Sequence, residues 1–84
     1  MKKLVLIDTT FFGCDGSNHG DVDIVDIMGQ TISFDVDFTD LYGGKLNVEP
    51  IERTPGGWLC SYTCGGETKV FEVPIDKISF DYIV

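Results

Sequence analysis

Alanine is missing altogether from this 84-residue chain, and between Leu4 and Gly44 there is neither a lysine nor an arginine. The first absence removes the strongest helix former. In its place valine, isoleucine and threonine supply 23 residues, whose branched Cβ atoms fit a pleated sheet better than a helix. The second absence argues against direct nucleic-acid binding, which needs clustered Lys and Arg to neutralise phosphates. The whole chain has six basic residues against fourteen acidic ones. Long apolar runs are lacking too. Leu4 to Ile7 ends at Asp8, short of the ~7–15 residues of a signal-peptide core, and no stretch approaches the ~20 residues that span a bilayer. A soluble, cytoplasmic protein without membrane contact is expected. With one histidine, His19, and no phosphate-cradling glycine loop, GxSxG elbow or HExxH pair, no enzyme and no cofactor are expected.

Cysteine is scarce and odd in number: Cys14, Cys60 and Cys64. A disulfide-stapled secreted domain normally pairs its cysteines, so reduced thiols are expected. The set Cys14, His19, Cys60 and Cys64 has the donor types of a Cys₃His zinc site. On a straight strand Cys60 and Cys64 share a face but stand about 13 Å apart, beyond the reach of one ion, and no metal is expected. The loop from Asp15 through Ser17, His19 and Gly20 to Asp26 has the outline of a calcium loop, but His19 stands where an oxygen ligand belongs; a polar turn is expected instead. A Cys14/His19 nucleophile pair has no orienting motif around it.

Aspartate is abundant. Asp8, Asp15, Asp21, Asp23, Asp26, Asp35, Asp37 and Asp40 all fall in the stretch without lysine or arginine, while the remaining acids are balanced by bases, so the net charge of −8 belongs to one half. Such a surplus attracts cationic partners over a Debye length of about 8 Å.

The elements read as all-β: one small antiparallel barrel or sandwich, residues 1–84, of six or seven short strands. Lys3 to Phe12 reads as a first strand. Asp21 to Met28 and Thr31 to Phe38 read as a hairpin closed by a two-residue type II′ turn at Gly29-Gln30. In the second arm Ile32, Phe34, Val36 and Phe38 alternate with Ser33, Asp35 and Asp37, one face apolar and the other acidic. The first arm breaks alternation, which places a bulge near Ile24–Asp26. Lys45 to Arg53 is a strand whose Pro50 requires an edge or a bulge. Trp58 to Thr63 and Thr68 to Val73 pair around Cys64-Gly65-Gly66-Glu67, and Ile78 to Val84 closes the sheet. Phe11, Phe12, Phe34, Phe38, Phe71 and Phe80 are the expected aromatic core, and Tyr42, Trp58, Tyr62 and Tyr82 the expected surface aromatics.

The segment Phe71-Glu-Val-Pro-Ile-Asp-Lys-Ile-Ser-Phe80 resembles the end of an SH3-like or Sm-like barrel, which implies a 3₁₀ turn opened by Pro74 before the last strand. In size and composition the chain also resembles virus-encoded inhibitors that mimic nucleic acid, antagonists of restriction, CRISPR or DNA-repair enzymes. That likeness implies a protein partner with a basic, nucleic-acid-binding surface in a host cytoplasm. The expected partner-binding residues are Asp15, Asp21, Asp23, Asp26, Asp35, Asp37 and Asp40, with Trp58 and Tyr62. The alternative is an assembly subunit that uses a strand edge or the Trp58/Tyr62 face, including self-association.

Overall fold

The branched residues form strands throughout the computed structural model, which describes residues 2–8, 11–12, 18–42 and 44–83. Among these residues there are strands and two 3₁₀ turns but no α-helix. The first sheet is built from β1 (Lys2–Asp8), β6 (Lys45–Thr54), β7 (Gly57–Cys64), β8 (Glu67–Pro74) and β9 (Ile78–Ile83), in the antiparallel order β8-β7-β6-β1-β9. Short β5 (Leu41–Tyr42) joins it on β6. The second sheet is β2 (Phe11–Phe12), β3 (His19–Val25) and β4 (Thr31–Asp37), in that order. The all-β antiparallel expectation is met, with seven strands of six residues or more among the described residues.

One long strand serves both halves of the first sheet. The start of β6 pairs with β1 and its end with β7, and the register shifts between Pro50 and Glu52. Proline has no N–H for the ladder, so the irregularity falls where the sequence places it. Gly65 and Gly66, both at positive φ (62° and 81°), close the β7–β8 hairpin as a two-residue turn that only φ > 0 residues make without strain. Pro74 introduces the 3₁₀ turn Ile75–Lys77 before β9, as the barrel resemblance implies.

The two sheets meet in one apolar core. Val5 and Ile7 of β1, Leu46 and Val48 of β6, Cys60 and Tyr62 of β7, and Phe71 and Val73 of β8 face Val22, Ile24, Phe34 and Val36 of the hairpin. Phe34 sits between Tyr62 and Phe71, with centroids 5.8 and 5.5 Å away. These spacings suit tilted aromatic pairs.

Three expectations are corrected. The first strand is two: β1 ends at Asp8 and Phe11–Phe12 pairs in the other sheet, so the stretch read as one strand serves two layers. The β3–β4 register runs without a shift from His19↔Asp37 to Val25↔Thr31, so no bulge lies at Ile24–Asp26. The turn is longer than two residues. Gly29 donates to the Asp26 carbonyl (3.0 Å), Asp26 N donates to the Gln30 carbonyl (2.9 Å), and the positive φ of Gly29 is 83°. This is the three-residue pattern in which glycine follows a tight turn. It frees Ile27 to leave the hairpin and donate to the Glu72 carbonyl of β8 (3.0 Å), which explains the broken alternation.

Candidate functional site

Period-two alternation buries Val22, Ile24, Phe34 and Val36 and turns the residues between them outward. The register then sets the outer face in four rungs: His19 opposite Asp37, Asp21 opposite Asp35, Asp23 opposite Ser33, and Val25 opposite Thr31. Among the described residues His19 is the only basic side chain on this face. Directly opposed side chains on an antiparallel pair have Cβ atoms about 4.5–5.5 Å apart, and like charges there oppose folding. The Asp21–Asp35 rung is such a pair.

The expected binding aspartates divide into two groups. Asp26 folds the turn: its Oδ1 accepts from Met28 N and Gln30 N, both at 2.9 Å. Asp37 caps the 3₁₀ turn Phe38–Asp40 and accepts from Thr39 N (3.0 Å) and Thr39 Oγ1 (2.9 Å). Those bonds hold its carboxyl below the usual range. Asp40 accepts from the Tyr62 hydroxyl at 2.6 Å. Asp21, Asp23 and Asp35 form the outward array, with Asp23 accepting from Ser33 Oγ. Asp15 and Cys14 lie outside the described residues.

Tyr62, expected on the surface, is instead 7% exposed within the core. Its hydroxyl donates to Asp40 and accepts from Asp37 N (3.0 Å). Burial first, then the bond to Asp40, pushes its phenol well above the ordinary value. Trp58 is partly buried against the core on the same side of β7 as Cys60 and Tyr62. Neither ring supplies an exposed aromatic patch. Met28 (79%) and Val70 (55%) are the described large apolar side chains most open to solvent.

At the end of β7, Cys64 meets the first rung of the hairpin. Its Sγ lies 3.5 Å from His19 Nδ1, and the same nitrogen is 3.5 Å from Asp35 Oδ2. The three ligand-type atoms all lie within 4.8 Å of one another. Beside them Phe34, Asp35, Tyr62, Cys64, Glu67 and Lys69 line a small cleft in which Lys69 Nζ pairs with Glu67 Oε1 at 3.0 Å. Thiol and carboxylate converge on one imidazole nitrogen, whereas a nucleophile relay uses opposite nitrogens of the ring. Moreover, partial burial and then Asp35, Asp37 and Asp40 push the Cys64 thiol up, away from the thiolate a nucleophile needs. Cys60 is remote from this cluster, fully buried, with its thiol pushed up to about 11 by burial.

His19 and Cys64 are legible from the sequence as unusual residues, but Asp35 reads there only as one carboxylate among many. Its proximity to Cys64 depends on packing between sheets, and no local pattern signals it. Of the calcium-loop outline, His19–Val25 is a strand, while Asp15 and Ser17 lie outside the described residues. Comparison with protein-family models, curated proteins and solved structures returned no match.

Proposed function

We propose that the chain is a non-enzymatic binding protein whose β3–β4 face docks on the basic, nucleic-acid-binding surface of a protein partner and occludes it. The observation that carries this reading is the Asp21–Asp35 rung, flanked by Asp23, on the exposed side of a regular hairpin. Opposed carboxylates oppose folding until a cation or cationic surface neutralises them, so the face gains most by meeting positive charge. Along each strand alternate carboxylates repeat every ~6.6–7 Å, a spacing that suits a groove built for a phosphate backbone. A virus-encoded inhibitor of a DNA-processing or defence enzyme is the class this reading fits.

The test is competitive. The purified chain is titrated into complexes of a labelled oligonucleotide with nucleic-acid-binding proteins captured from lysate at low salt, and displacement is read by anisotropy. Displacement should weaken steeply with added salt. Asp21→Lys, Asp23→Lys and Asp35→Lys together should abolish it, while Asp26, Asp37 and Asp40 stay intact because they hold the fold. Undiminished displacement by the triple variant would refute the reading. A second reading rests on Val70, 55% exposed on β8, at one end of the first sheet's strand order. Assembly through that edge predicts a salt-resistant oligomer instead.

A further inference from the structure

We infer that His19, Asp35 and Cys64 form a binding site for a divalent metal ion of the zinc class. The three side chains arrive from three strands. His19 opens β3, Asp35 lies one rung along on β4, and Cys64 ends β7, so their meeting is a product of sheet-on-sheet packing. Tetrahedral zinc with Zn–S near 2.3 Å and Zn–N and Zn–O near 2.0–2.2 Å places neighbouring ligand atoms about 3.4–3.6 Å apart. The Cys64 Sγ–His19 Nδ1 and His19 Nδ1–Asp35 Oδ2 separations are both 3.5 Å. The remaining pair, Cys64 and Asp35, lies within 4.8 Å and closes by side-chain rotation.

Donor chemistry selects the ion. One imidazole nitrogen, one thiolate and one carboxylate suit zinc and its neighbours in the transition series, whereas calcium and magnesium take oxygen ligands alone. The surroundings favour a cation as well, because Asp37 and Asp40 add negative charge beside Cys64. The side chains of His19 and Asp35 are 45% and 56% exposed, so solvent reaches the site and water completes the coordination. The ion would tie the hairpin to β7.

Titration of the chelator-treated full chain with Co²⁺ tests this without any partner. One equivalent should produce thiolate-to-cobalt charge transfer and the visible bands of a tetrahedral ion. Cys64→Ser should remove the charge-transfer band, and His19→Ala should weaken binding at least tenfold. Cys60→Val should leave both spectrum and affinity unchanged. Zn²⁺ should displace Co²⁺ and raise the melting temperature of the wild type but not of Cys64→Ser, since a ligand held only by the folded state stabilises it. Absence of the band, its survival in Cys64→Ser, or equal thermal shifts in both proteins would overturn the assignment.

Discussion

The Tyr62 hydroxyl joins three pieces of chain that are remote in sequence: it sits on β7, accepts from the end of β4 and donates to the 3₁₀ turn that follows. Tyr62→Phe keeps the ring between its neighbours but leaves the Asp37 N–H and the Asp40 carboxylate without that partner. A loss of about 1–3 kcal/mol in denaturant unfolding is expected, the range for a partly buried polar group left unpaired. A cost near zero would mean that water replaces the phenol there. Cys60 makes a second prediction at this scale. Its folded-state value, about 11, lies above the ordinary thiol value of 9.0, so the neutral form is favoured in the native state. The resulting stability is complete below about pH 9 and is lost as pH rises from there through about 11, because the unfolded chain ionises first. Melting temperature should fall across that window, and Cys60→Val should flatten the fall. Parallel curves for the two proteins would contradict it.

Turns set the register of each hairpin, and their glycines do so for different reasons. At Gly29 the requirement is conformational, with φ at 83° and open space around the position of a Cβ. Gly29→Ala should therefore cost only the left-handed strain, about 1 kcal/mol. At Gly57 the requirement is steric, because an added Cβ would stand 1.8 Å from the Val73 carbonyl oxygen across the β7–β8 pair. The strands cannot separate there without losing ladder bonds, so Gly57→Ala should cost about 3 kcal/mol, more than Gly29→Ala. Urea unfolding of the two variants checks the order, and a reversed order would place the strain in the wrong hairpin.

For the molecule as a whole, charge and core are distributed differently. The core draws on both sheets, whereas the uncompensated acid lies in the half that supplies the hairpin. Self-repulsion in that half should make stability rise with salt, since screening relieves the Asp21–Asp35 rung. Asp21→Asn should raise the melting temperature at low ionic strength by about 2–4 °C, as expected for relief of roughly half a kcal/mol in a domain of this size. The gain should vanish near 1 M salt, where the Debye length falls to about 3 Å. An equal shift at both salt concentrations would assign the effect to hydrogen bonding instead of field.

Local chemistry made much of this protein legible from its residues alone. Branched side chains without alanine specify strands, alternation in Thr31–Asp37 separates a buried face from an acidic one, Pro50 marks the β6 irregularity, and Gly65-Gly66 marks a hairpin. Each of these signals acts within a few residues, through backbone sterics or side-chain direction. The division of the aspartates was decided elsewhere. Asp26, Asp37 and Asp40 are bound into turns and to Tyr62, while Asp21, Asp23 and Asp35 face outward; identical side chains differ only in which donors the fold brings to them. The burial of Tyr62 and the meeting of Cys64 with His19, 45 positions apart, likewise follow from how one sheet lies on the other. That placement is set by packing of the shared core, a sum over many apolar contacts that no short stretch of sequence encodes.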